Sequence, residues 1–353
     1  MELEHSILKI IRGEKKAPIA MAGLAGLSAA YRSVIALRNL AYDQGMFSSE
    51  KLSVPVVSVG NVVVGGTGKT PLVHLLAGAL QNKVRLAILT RGFRSKMEKS
   101  GAVKQISAGS GPLFPAEECG DEPFFLAQKT KACVWVGANR VLSGRSAIAQ
   151  GANCLLLDDG MQHRRLKRDF EIAIIDGANP FSQGRFLPWG LLRDSPKRLK
   201  NAHLIVATHV VDLAHFQQLQ SLISQFSSAP VVGAQIEVFN RHAFLPRKVG
   251  VFCGIGQPAR FLQTARDLNQ EIVDTLILKD HGSLQPGQLE KFAENCLRKG
   301  AKVLLCTEKD AVKLCDNGLR ALNIVPIEIE LKIIAGNAHW EHLIDNILDK
   351  VAK

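Results

Sequence analysis

Two short stretches hold residue types and spacings that suit phosphate chemistry. The first, Gly65-Gly66-Thr67-Gly68-Lys69-Thr70, stands after the apolar run Val54 to Val59 and before the helical run Leu72 to Leu80. Successive glycines let backbone N–H groups converge on phosphate oxygens, and the helix N-terminus behind them adds donors and a dipole. Lys69 then reaches the β and γ phosphates of a nucleotide, and the Thr70 hydroxyl binds Mg2+. Val63 sits where G-x-x-x-x-G-K-[ST] has its first glycine, so the loop is a variant spanning Val63, Val64, Gly65, Gly66, Thr67, Gly68, Lys69 and Thr70. A glycine turn with an incidental lysine is the plain alternative. The second stretch is Cys154-Leu155-Leu156-Leu157-Asp158-Asp159-Gly160, an apolar strand ending in two carboxylates where an open sheet places its ligands. One of the pair is expected to hold Mg2+, although Asp-Asp-Gly is also an ordinary strand-ending turn.

The elements that must position these groups read as α/β. Apolar runs of strand length recur at Val54 to Val59, Val84 to Thr90, Ala132 to Val136, Cys154 to Leu157, Ile172 to Ile175 and Leu204 to Ala207, with helical stretches such as Leu72 to Leu80 and Val141 to Ala149 between them. Continuous apolar strands alternating with helices imply a P-loop NTPase-like, mostly parallel sheet covered on both faces. From Pro230 to Lys248 two extended pieces, Val231 to Phe239 and His242 to Pro246, suggest a two-stranded linker. A smaller C-terminal α/β lobe is expected beyond it, with strands at Val249 to Cys253, Ile272 to Leu278, Val303 to Cys306 and Ile324 to Ile329. The expected organisation is thus 1–42 helical, 43–229 kinase core, 230–248 linker and 249–353 second lobe.

The 353 residues carry 44 Lys+Arg against 32 Asp+Glu, a net charge of +12 that favours an anionic partner. Aromatics are only 6% and no nucleic-acid motif is present, so nucleic acid is not the expected partner. Seven cysteines without a C-x-x-C pair sit mostly in apolar runs, the pattern of buried, reduced thiols. Ala17 to Tyr42 reads as a helix, too short of apolar residues to span a bilayer because Arg32 and Arg38 interrupt it. It is expected either to lie on a membrane with its bases toward acidic headgroups or to pack internally.

Taken with Gly60-Asn61, Arg91-Gly92-Phe93, Gly120-Asp121-Glu122-Pro123, Asp158 to His163 and Thr307-Glu308-Lys309-Asp310, the phosphate loop gives the chain a pattern that resembles the tetraacyldisaccharide 4'-kinase family. The matches span nearly the whole sequence. The resemblance implies transfer of the ATP γ-phosphate to the 4' hydroxyl of a tetraacylated, 1-phosphorylated lipid disaccharide, at the cytoplasmic face of a bacterial inner membrane. It implies Asp121 as the catalytic aspartate, assisted by His281, with Lys69 on the phosphates. Asp121 read by itself is a helix N-cap before Pro123. Metal duty falls to Thr70 with Asp158 or Asp159, and Gln162 and His163 sit in the same turn. Asp194 stands where the family usually has Glu and is a further metal candidate. Arg140, Arg193 and His163 are substrate or phosphate candidates.

The main rival is a P-loop GTPase or metal-insertion ATPase acting as a regulatory module. Guanine readers carry [NT]-K-x-D after a strand, whereas Thr208 to Asp212 lacks the lysine and Thr307-Glu308-Lys309-Asp310 has it one place late.

Overall fold

The computed structural model describes residues 18–245, 247–279, 282, 287–314 and 321–353, the side chains of 18–20 excepted. In chain order its strands are β1 (Val56–Gly60), β2 (Leu86–Thr90), β3 (Lys104–Ala108), β4 (Cys133–Val136), β5 (Cys154–Asp158), β6 (Phe170–Asp176) and β7 (Leu204–Thr208). There follow β8 (Val231–Val238), β9 (Lys248–Cys253), β10 (Glu271–Ile277), β11 (Val303–Thr307), β12 (Asn323–Ile327) and β13 (Ile329–Ala335). The chain divides into two compact units, the first gathering described residues up to Lys69 with Leu157–Gln235 and Ile333–Lys353, the second Thr70–Leu156 with Ile236–Lys332. These units interleave along the sequence. They do not follow the linear segments that composition suggests, because a sheet is assembled from strands remote in sequence.

In the first unit β1 pairs in parallel with β6, β6 with β7, and β7 with β8. β1 and β7 are buried at every position, the pattern of strands covered on both faces. Val62, Met161, Ile175, Ile205, Phe216 and Leu219 belong to the core beside them. Beyond its end β1 meets the Asp158-Asp159 turn closely: the Gly160 N–H donates to the Val59 carbonyl at 3.0 Å. A Cβ on Gly60 would lie 2.5 Å from Met161 Cβ and 2.8 Å from its backbone nitrogen, so only glycine permits this approach.

In the second unit β2 pairs in parallel with β4, and β3 adds antiparallel to β4. A separate four-stranded parallel sheet has the order β10-β9-β11-β12. Its two faces are filled by distinct cores, Val249, Val251, Phe261 and Leu305 in one, Phe252, Leu289, Cys296 and Leu304 in the other.

The expected ribbon between lobes is not formed. Val231 to Ala234 is buried without alternation, and β8 joins β7 in parallel, as a strand covered on both faces does. His242 lies in a 3-10 turn, Arg241–Ala243, while Pro246 is outside the described residues. The run expected as one strand from Ile324 to Ile329 is split, β12 pairing with β11 and β13 starting separately at Ile329. The C-terminal helix Asn337–Ala352 belongs to the first unit.

The N-terminal helix spans Pro18–Asp43, and no helix among the described residues is long and apolar enough to cross a membrane. The six described cysteines are free thiols, and burial pushes those of Cys119 and Cys253 up to about 12. They are packing groups rather than nucleophiles. Cys315 lies outside the described residues.

Candidate functional site

In the first unit the candidate site is built around Asn61, the residue that leaves β1. Asn61 is fully buried; its Nδ2 donates to Thr67 Oγ1 at 2.8 Å, its carbonyl accepts from Gln162 Nε2 at 2.8 Å, and its Oδ1 accepts from Arg193 Nη2. One residue thus ties the phosphate loop and the Arg193 loop through its side chain and the carboxylate turn through its backbone carbonyl. Leaving such buried partners unpaired costs about 1–3 kcal/mol each, so the arrangement is stiff. Thr208 at the end of β7 adds a second tie, its hydroxyl donating to the Thr67 carbonyl at 3.0 Å.

Asp159 has φ +54, a left-handed conformation that aspartate tolerates better than most residues. Arg193 grips it with both guanidinium nitrogens, Nη1 to Oδ2 at 2.8 Å and Nη2 to Oδ1. Lys69 Nζ lies 3.9 Å from the same Oδ1. A forked pair of this kind fixes direction as well as charge. Arg193 is itself held by its backbone, its N–H donating to the Val62 carbonyl at 2.9 Å and its carbonyl accepting from the Tyr31 hydroxyl at 3.1 Å. Burial, and then the nearby Asp194 carboxylate, raise the Tyr31 pKa, so the phenol stays a donor.

The start of the phosphate loop differs from expectation. Val63 is 5% exposed within the core and bridges Leu192, and the Val64 amide donates to the Leu191 carbonyl at 2.8 Å. That amide is therefore spent on anchoring the loop rather than on phosphate. The turn proper begins at Gly65, with φ +116 there and +90 at Gly68. Lys69 and Thr70 open the helix Lys69–Leu80.

Among the described residues no group of three or more His, Cys, Asp or Glu side chains is placed to hold a metal. Mg2+ keeps waters and takes one or two side chains plus phosphate oxygens rather than an all-protein cage. Gln162 Oε1 is a buried hard oxygen with no hydrogen-bond partner, a group that fits such an ion. Asp158, 7% exposed at the end of β5, and Thr70, also 7% exposed, are oxygen donors of the right type. Asp194 is placed differently from its expected metal role. It is 2% exposed, and its Oδ1 accepts from Asn39 Nδ2 at 2.9 Å and from the Ser195 N–H at 2.8 Å. The carboxylate anchors the N-terminal helix. His163 donates its backbone N–H to Gly160 at 2.8 Å and so closes the carboxylate turn.

In the second unit Asp121 is the first residue of the helix Asp121–Lys129, and Gly120, not Asp121, is its N-cap. Its side chain meets Lys313, with Nζ 3.0 Å from Oδ2. Arg140 is 4% exposed and turns its Nη1 back onto the carbonyls of Gly137 and Ala138, each at 3.2 Å. It is a buried residue that braces the start of its helix. His281 lies outside the described residues. Sequence reasoning did not single out Asn61, Thr208 or Lys313 for a role. The position of Asn61 directly after a buried strand was the available signal; the other two are brought in by tertiary contact alone.

Comparison with known proteins covers almost the full length. Residues 20–349 match the family model described as tetraacyldisaccharide-1-P 4'-kinase. The chain is 35% identical over 343 residues to the tetraacyldisaccharide 4'-kinase of Anaeromyxobacter dehalogenans, covering 90% of this chain and 89% of that protein. It is 36% identical over 281 residues to the protein of the same name from Chlamydia trachomatis, covering 76% and 74%. Its fold is similar to that of LpxK from Aquifex aeolicus, solved in complex with ATP, with TM-score 0.73, 26% identity and coverage of 93% and 99%.

Proposed function

The chain belongs to the tetraacyldisaccharide 4'-kinase family and is an ATP-dependent kinase of lipid A biosynthesis, and on that premise we propose how its own residues divide the work. The observation that carries the proposal is the Asn61, Asp159 and Arg193 network, which locks the phosphate loop beside a carboxylate turn.

Backbone amides from Gly65 to Lys69 and the Lys69 ammonium hold the ATP phosphates. Thr70, Gln162 and Asp158 or Asp159 would hold Mg2+, which when bound would supply positive charge against the phosphates. Arg193 keeps Asp159 aimed and prevents its collapse onto Lys69. Asp121, with His281 beside it in the family pattern, accepts the proton of the substrate's 4' hydroxyl. The hydroxyl oxygen bonds to the γ phosphorus as the bond from that phosphorus to the ADP oxygen breaks, and ADP leaves. Positioning and charge neutralisation carry most of the rate.

The test is transfer of labelled γ-phosphate from ATP to a tetraacyldisaccharide 1-phosphate in mixed micelles. A labelled 4'-phosphate that depends on Mg2+ supports the reading; a folded, ATP-binding protein that leaves the lipid unlabelled sinks it.

The lipid substrate also implies work at a membrane surface, on the cytoplasmic face of the bacterial inner membrane. The helix Pro18–Asp43 has two faces. Leu24, Ser28 and Asn39 are buried, with the Ser28 hydroxyl donating to the Phe186 carbonyl at 2.8 Å. Leu27, Val34, Leu37 and Leu40 are 49–67% exposed. An apolar face of this kind inserts shallowly at the headgroup boundary. Arg32 and Arg38, within the helix, turn to the protein: Arg38 donates to the Gln162 carbonyl at 2.7 Å, and Arg32 lies over the Phe186 ring. The flanking bases Lys15 and Lys16 lie outside the described residues. Beside a cleft of about 500 Å3 that Arg164, Lys167, Arg168, Glu171 and Arg198 help to line, Arg164 and Arg198 face Asp43 and Arg168 pairs with Glu171. Headgroup contact falls to the exposed Arg165 and Lys167. Changing Leu27, Val34 and Leu37 together to serine is expected to cut co-flotation with anionic vesicles by about tenfold or more, from lost apolar burial of roughly 1–2 kcal/mol. Unchanged flotation would remove the helix from membrane contact.

A further inference from the structure

We propose that Lys313 is a positioning residue for Asp121, pinned from behind by the buried carboxylate of Asp310; this rests on Asp121 being the proton acceptor.

Asp310 is 3% exposed. An ionised carboxylate so deep is costly unless donors and a countercharge satisfy it. Its Oδ2 accepts from the Gly254 N–H at 3.0 Å and the Thr307 hydroxyl at 2.7 Å, and its Oδ1 lies 3.4 Å from Lys313 Nζ. Thr307 in turn caps the short helix Glu308–Ala311, accepting from the Asp310 N–H at 3.2 Å. The carboxylate is therefore fixed by one backbone N–H and one side-chain hydroxyl, and it holds one side of the ammonium. On its other side the ammonium stands 3.0 Å from Asp121 Oδ2.

A neighbouring pair shows what a simple docking contact looks like. Lys309, four residues earlier, meets Glu122 at 2.9 Å, with the lysine 32% and the glutamate 21% exposed. Lys313 and Asp121 are 18% and 17% exposed, and a buried carboxylate backs the lysine. Holding one oxygen aims the carboxylate. In phosphoryl transfer through a loose transition state, direction matters more than basicity for the proton acceptor. The 4' hydroxyl proton passes to Asp121 as phosphorus transfers, and Lys313 keeps its own protons throughout.

The experiment compares the full-length wild type with Lys313→Met, Lys313→Arg and Asp121→Asn in the mixed-micelle assay, with thermal midpoints measured alongside. Lys313→Met is expected to lower kcat by roughly 30- to 100-fold with the KM for ATP changed by less than about threefold. Lys313→Arg restores most of kcat. If Lys313→Met does not fold, Lys313→Gln, which keeps length without charge, takes its place. An unchanged kcat in Lys313→Met, beside an inactive Asp121→Asn, overturns the proposal. An active Asp121→Asn instead overturns the reading of Asp121 on which it stands.

Discussion

Lys69→Ala is expected to lower kcat by about three orders of magnitude and to leave the fold intact. A lysine behind the glycine turn is asked to meet charge that grows on the transferring phosphoryl group. Fixed cations in such sites are worth about 3–4 kcal/mol of transition-state stabilisation, which is a factor of several hundred or more. In the structure its ammonium is 3.9 Å from Asp159 Oδ1, a long contact, whereas Arg193 already grips both oxygens of that carboxylate. Removing the lysine therefore leaves the Asp159 turn held. The thermal midpoint should move by no more than a few degrees, since loss of a partly exposed pair is worth under about 1 kcal/mol. Single-turnover transfer with saturating ATP checks this. A kcat within tenfold of wild type would mean that the loop is a structural turn and that phosphate is held elsewhere.

Asp121→Asn should be the second large loss. The substitution keeps size and hydrogen-bonding capacity but removes the negative charge and the proton-accepting oxygen. General-base function is worth about 10²–10⁴ in rate, so kcat is expected to fall in that range while the KM for ATP stays within about threefold. The helix that carries Asp121 is capped by Gly120, so its start does not depend on this side chain. Lys313 retains Asp310 as a partner. Stability is thus expected to be nearly unchanged, and circular dichroism with a thermal scan separates lost chemistry from lost fold. Retention of more than about a third of wild-type kcat would exclude a proton-accepting role.

Much of the fold was legible because its signals are local. β1, β5 and β7 are continuous apolar runs, and burial at every position bears that pattern out. Gly65 to Thr70 announced a glycine turn opening a helix because backbone conformation there is carried within six residues, and φ is +116 at Gly65 and +90 at Gly68 ahead of the helix Lys69–Leu80. The ribbon expected at Pro230 to Lys248 failed for the opposite reason. Whether an apolar run becomes a lone strand or joins a sheet depends on an open neighbour, and β7 supplied one.

Composition, the order of strands and helices, the glycine turn and the family pattern were all determined by the sequence itself, because each rests on neighbours a few residues apart or on motif order along the chain. The tertiary structure decided which groups answer one another. Val64 gave its amide to Leu191 and Asp194 turned to Asn39. Arg193 reached back 34 residues to Asp159, and Lys313 met Asp121 from 192 positions away. Hydrogen bonds and ion pairs act over about 3–4 Å and carry no mark in the sequence of where their partner lies. Only the folded chain brings those atoms within that range.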